Sequence, residues 1–173
     1  MAIFRIYPEK DSFIWSEPSV AGLYGNAGKD PVLEIGGYPD LTLTGRTTRG
    51  LIQFRTLDIQ SALNTKVVGS YSASLHLSLA NATELPDSFN IHALPVSSSW
   101  ETGFGQRVDN PTNTSGVTWK HKDVLTTQWT VLGGDYLASP AASQSFDSTS
   151  DYDIDINVTP AITGFYSGSL ANN

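Results

Sequence analysis

Along this chain, apolar and polar residues alternate with a period of two in one segment after another. The clearest run is residues 72–79, where Ala73, Leu75, Leu77 and Leu79 alternate with Ser72, Ser74, His76 and Ser78. Successive strand residues point to opposite faces of a sheet, so this run predicts an antiparallel strand with one face on a core. Residues 89–94 repeat the pattern, and Tyr152, Ile154, Ile156 and Val158 alternate with Asp151, Asp153, Asp155 and Asn157. Further strands are predicted at residues 3–7, 12–15, 32–35, 116–120 and 128–132, and at 49–55 with Ile52 and Phe54 on one face. Turns are expected at the Pro-Glu-Lys-Asp step 8–11, the Gly/Asn loop 24–30, the Gly-Gly-Tyr-Pro-Asp step 36–40 and the Ser/Ala/Asp-rich stretch 139–150. Only two short helical turns are predicted. One covers residues 58–63 with Asp58 as N-cap. The other starts at Thr159-Pro160, carries Ile162, Phe165 and Tyr166 inward, and stops near Gly168.

Composition agrees with that pattern. The chain of 173 residues is 39% hydrophobic and only 16% charged, with 15 Gly and 9 Pro. Abundant Ser, Thr, Asn and Gly suit short strands joined by polar turns. The expectation is one all-β domain over residues 1–173, large enough to close a core without staples. Ten Lys and Arg against seventeen Asp and Glu give a net charge of -7, which argues against nucleic acid or an anionic membrane as partner. There is no cysteine and hence no disulfide or thiolate chemistry. Charges interrupt the opening residues before any signal-type apolar core, and no apolar run reaches a membrane span, so synthesis in a cytoplasm is expected.

Candidate chemistry is sparse. His76, His92 and His121 are the only histidines, and no Gly-x-Ser-x-Gly elbow accompanies them, so they read as structural or surface residues. Asp147, Asp151, Asp153 and Asp155 have oxygen ligands suited to Ca²⁺. Alternation spaces the last three ~6.5–7 Å apart along one strand face, which suits solvated acids better than a cation cage. Glu17, Glu34, Glu84 and Glu101 could serve glycosidase chemistry, but no pattern pairs them. No catalytic residue, metal ligand or cofactor is assigned, and the chain is expected not to be an enzyme. Trp100 and Trp119 are expected in the core. Trp15, Tyr24 and Tyr38 lie in or beside Gly-rich loops and form the candidate interaction surface, with core packing the default for Trp15.

Several blocks together resemble the DNRLRE-type β-sandwich domain of surface, carbohydrate-binding and phage structural proteins. They are Arg49-Gly50-Leu51-Ile52-Gln53-Phe54, Ser72-Ala73-Ser74-Leu75-His76-Leu77, Ser99-Trp100-Glu101 and Gly116-Val117-Thr118-Trp119. Ile156-Asn157-Val158-Thr159 follows, leading into Phe165-Tyr166-Ser167-Gly168. The opening Phe4-Arg5-Ile6-Tyr7-Pro8-Glu9-Lys10-Asp11 also resembles the start of virion structural proteins of T4-like marine phages. The resemblance implies an antiparallel jelly-roll-like sandwich, and a virion protein of the capsid decoration, neck or tail-fibre kind. Its partners would be other virion proteins, in a homo-oligomer or symmetric assembly. The alternative it implies is a carbohydrate-binding module attaching to host-surface glycans. That family carries Asp where this chain has Asn157, and it continues beyond the position of Asn173 with a further strand. The resemblance therefore implies that the polypeptide continues or that a neighbouring subunit supplies the strand.

Overall fold

The run Phe13-Ile14-Trp15 offers water no polar side chain, and in the structure, a computed structural model, it is buried throughout together with Ser12. The structure describes residues 3–16, 25–38, 46–64, 70–80, 89–109, 111–124, 126–146 and 153–173. Their regular structure is mostly strand, in small antiparallel sheets, with two short helices. The chain divides into two units. The first comprises Met1–Arg5, Thr56–Pro95 and Tyr136–Asn172, and the second comprises Ile6–Arg55 and Val96–Asp135 together with Asn173.

In the second unit, β1 (Pro8–Trp15) pairs with β3 (Arg46–Phe54), which pairs on its other side with β2 (Gly36–Tyr38). Alternation sends Ile14 to one face, where it packs with Leu51, Trp100, Val117 and Trp129. Phe13 and Trp15 go to the opposite face, against Ala27 and Leu33. The sheet is thus covered on both sides, and each large apolar side chain removed from water contributes ~1.5–3 kcal/mol. Gly50 lies opposite Phe13 in the ladder, and a Cβ there would meet Leu33 and Ile35, so glycine lets both side chains lie close on the sheet.

The first unit is built from two ribbons. β4 (Ser74–Ser78) pairs with β7 (Asp153–Asn157), and β5 (Phe89–Ala93) pairs with β6 (Ala142–Phe146). Ile154 and Ile156 form the buried centre, flanked by Leu75, Leu77, Leu79, Ile91, Ala93, Ala142 and Val158 from both ribbons. The Asp155 N–H donates to Gln144 Oε1 at 2.7 Å, tying β7 to β6. Helix α1 (Thr56–Leu63) buries Ile59 and Leu63. Helix α2 (Thr159–Ser167) takes Pro160 in its first turn and ends at Gly168, whose φ of 74° is the left-handed cap that glycine adopts without strain. The two helices lie against each other.

The register of β4 is the one the alternation predicts, with Ser74, His76 and Ser78 exposed, although Ala73, Leu75, Leu77 and Leu79 are half-buried rather than fully covered. Other expectations need correction. Residues 3–7 lie outside any strand and Ile3, Phe4 and Tyr7 are exposed; no strand among the described residues pairs with them. The expected turn at 8–11 belongs to β1, entered through a register irregularity between Pro8 and Lys10. Residues 32–35 are irregular, and the strand is the Gly36–Tyr38 step that read as a turn. Residues 116–120 and 128–132 form turns joined by one bridge, His121 to Gln128, because their backbone groups bond to loop carbonyls such as those of Glu101, Lys120 and His121. The stretch read as a loop contains β6, whose pairing with β5 overrides weak local propensity. Helix α1 begins two residues before Asp58, which sits in its first turn rather than at its cap. Thr159 does not cap α2; its hydroxyl accepts the Ala73 N–H at 2.9 Å.

Candidate functional site

Asn26 is fully buried in the second unit, and its side chain uses every hydrogen-bonding position it has. Oδ1 accepts the N–H groups of Gly28 (3.1 Å) and Gly105 (2.8 Å), while Nδ2 donates to the carbonyls of Thr102 (2.6 Å) and Val117 (2.9 Å). Its own N–H donates to Asn113 O at 2.7 Å. One residue therefore binds the 25–30, 102–106 and 112–117 loops together. Glycine is required at the crossing: Gly103 and Gly116 have φ of +81° and +99°, and a Cβ on Gly103 would collide with the Ser115 carbonyl and the Asn26 side chain.

This brace holds up an apolar surface. The Phe104 ring is 73% exposed, with the Lys29 ammonium 5.8 Å from its centroid. The backbone beneath it is fixed, because Phe104 N–H donates to Ser115 Oγ (3.2 Å) and Lys29 N–H to Gly105 O (2.9 Å). Val108, on the same loop, is also exposed, in a turn closed by Gln106 N–H to Asp109 Oδ2 at 2.9 Å. Arg107 is neutralised by an ion pair with Glu34, lies over the Trp15 ring, and has its N–H held by Asp30 Oδ2 at 2.8 Å. Lys29 thus marks a cationic, apolar spot on an otherwise acidic chain.

The sequence-assigned surface residues fall elsewhere. Trp15 is a core residue, only 5% exposed, and its ring is not available to a partner. Tyr24 lies outside the described residues. So does the side chain of Tyr38, whose backbone ends β2. Asp147 and Asp151 also lie outside them. Trp100 and Trp119 both belong to the cluster around Ile14. Sequence reasoning missed Phe104; the signal available was an aromatic residue between two glycines, Gly103-Phe104-Gly105.

Known proteins add no further guide. No family model, curated protein or solved structure matches this chain.

The remaining titratable groups are dispersed. His76 is exposed on β4, its Nδ1 3.2 Å from Asp155 Oδ1 and its Nε2 3.8 Å from Asp153 Oδ2. His92 is exposed on β5. Among the described residues, no group of three or more His, Cys, Asp or Glu is placed to hold a metal ion. No described helix is long and apolar enough to cross a membrane. Burial pushes the pKa of His121 down, Lys120 adds to this, and Asp123 opposes it. Asp123 is held down to about 2 by hydrogen bonds from Thr127, side chain first and then backbone, with Thr126 adding to them.

Both shifts have the same consequence for pH. Each group binds protons more readily unfolded than folded, so stability falls on acidification. The His121 contribution is present above its ordinary value of 6.5 and is lost as pH falls below it. The Asp123 contribution is present above 3.8 and is lost as pH falls through about 2. Thermal midpoints measured against pH should therefore decline in two stages. His121→Gln should remove the upper stage. Asp123→Asn should shrink the lower, to which Asp135 also contributes because, against its desolvation, hydrogen bonds from Thr130, Val131 and Ser98 hold its pKa down.

Proposed function

We propose that this chain is a non-catalytic virion structural protein, with a jelly-roll-like sandwich fold, that binds other virion subunits through the Lys29–Phe104–Val108 surface. The observation that carries the reading is the exposed Phe104 ring on a backbone held from both sides. An aromatic anchor that is rigid before binding loses little entropy on contact, which is how apolar residues become effective in interfaces. The sharing of one apolar core by the two ribbons of the first unit supports the sandwich reading. The block resemblance to DNRLRE-type and phage structural proteins supports the particle as its location. A second reading, attachment to a host-surface glycan, draws on the same ring, because a flat aromatic face beside Lys29 and Gln106 can stack on a sugar and hydrogen-bond its hydroxyls.

Phe104→Glu should leave the fold within ~0.5 kcal/mol of wild type, since the ring makes little buried contact. The same change should abolish incorporation into particles, measured by mass spectrometry of density-purified virions. Normal incorporation of the variant would overturn the assignment of this surface. Binding of the wild-type chain to a glycan array, lost in the variant while incorporation persists, would establish the second reading instead.

A further inference from the structure

Strand β4 is the outer strand of its sheet. In the ladder, Val158 N–H donates to Ala73 O, so position 73 faces β7, and positions 75 and 77 follow it by alternation. The N–H and C=O groups of Ser74, His76 and Ser78 point the other way, and they have no backbone partner among the described residues. On the apolar side of the same strand, Leu75 and Leu77 are left half-buried. A strand edge without a partner beside an under-covered apolar flank is a template for one more strand.

The chain also carries a strand-forming segment with no strand to join. Residues 3–7, Ile-Phe-Arg-Ile-Tyr, are β-branched and aromatic apart from Arg5, yet they lie outside regular structure with Ile3 83%, Phe4 60% and Tyr7 76% exposed. The segment's length equals that of β4, five residues. Alternation would set Phe4 and Ile6 beside Leu75 and Leu77 on the apolar side. Arg5 would then lie on the polar side, where Asp153 and Asp155 stand 59% and 64% exposed with His76 between them. Length and the Phe4/Ile6 pair fit the edge, Ile3 and Tyr7 share the face of Arg5, and the acids that Arg5 complements lie on β7, one strand beyond its immediate neighbours.

We propose that the outer edge of β4 is a self-assembly site that takes residues 3–7 of a second copy of this chain as an added strand, by β-augmentation. The contact is distinct from the Phe104 surface, and the two are tested by different variants.

Sedimentation velocity of the 1–173 chain over a concentration series should show association. Phe4→Glu combined with Ile6→Glu should abolish it, because the arm can no longer fill the apolar flank. His76→Pro should abolish it separately, because it removes an outward N–H while the bonds from positions 75 and 77 to β7 remain. An equimolar mixture of the two variants should associate again, since one keeps the edge and the other keeps the arm. Phe104→Glu should associate as wild type. Amide exchange at positions 74, 76 and 78 should slow on association in wild type and stay fast in the arm variant. That comparison decides the matter if His76→Pro fails to fold. A wild-type chain that stays monomeric throughout, or an arm variant that associates with the same protection of those amides, overturns the proposal.

Discussion

Replacing Asn26 by Ala should destabilise the second unit by about 4 kcal/mol or more, the largest effect expected of any single polar substitution in the described residues. The change strands two donors, Gly28 N–H and Gly105 N–H, and two acceptors, Thr102 O and Val117 O. Leaving a buried group unpaired costs ~1–3 kcal/mol, and water entering the vacated space recovers part of the sum. Asn26→Asp should fare little better. It keeps the two acceptor positions, but faces the Thr102 and Val117 carbonyls with a second oxygen and buries a charge. Urea unfolding monitored by tryptophan fluorescence reads the loss directly, since Trp15, Trp100 and Trp129 are buried in this unit. A loss below ~1 kcal/mol, in the range of an ordinary surface change, would mean that the loops do not depend on this hub. The consequence reaches function. If the brace fails, Phe104 loses its fixed support, so Asn26→Ala should also weaken every contact made by the Lys29–Phe104–Val108 surface.

Trp100→Ala should cost ~3–5 kcal/mol, as expected for emptying a large site in a packed core. Trp100 is 2% exposed and packs with Ile14, Leu51, Val117 and Trp129, with the Lys10 ammonium 4.4 Å above its ring. The same Lys10 ammonium donates to the Trp100 carbonyl. Burial lowers the pKa of Lys10, while Glu101 and Glu9 act in the opposite direction. Trp100→Phe should cost distinctly less than the alanine change. It keeps an aromatic face under Lys10 and deletes an indole N–H that has no partner among the described residues. Denaturant midpoints of the two variants test this ordering. A phenylalanine variant as unstable as the alanine one would show that indole volume, rather than the ring under the ammonium, carries the site.

Where the structure agrees with the sequence, a strand has one oily and one wet face. Residues 72–79 and 152–158 alternate so strictly that a one-residue slip would place Leu75, Leu77, Ile154 and Ile156 in water. The pattern alone therefore specifies which face is inside, and β4 and β7 follow it. The end of α2 was legible for a similar local reason: Pro160 suits the first turn, and Gly168 suits the left-handed cap.

Other features depend on partners far along the chain. Residues 3–7 have strand chemistry but no ladder, whereas Ala142–Phe146 has weak strand chemistry and a complete ladder with β5. A strand exists only when another segment accepts its hydrogen bonds, and no local window contains that information. The same limit governs the site. Trp15 ends a predicted strand beside a Gly-rich loop, with core packing its default, and what covers it comes from elsewhere in the chain: Ala27 packs with it and a Cβ on Gly25 would meet its ring. Phe104 looks unremarkable, yet the bonds of Asn26 across 76 and 79 positions of sequence hold its loop outward. The sequence by itself determined the strand-rich, antiparallel character of the chain, the core-facing residues of the alternating strands and the helix stop at Gly168, because each follows from periodicity or from one residue's backbone preference. Tertiary structure alone decided which apolar residues stay exposed and which strand edge has no partner among the described residues, because these depend on burial and pairing between segments distant in the chain.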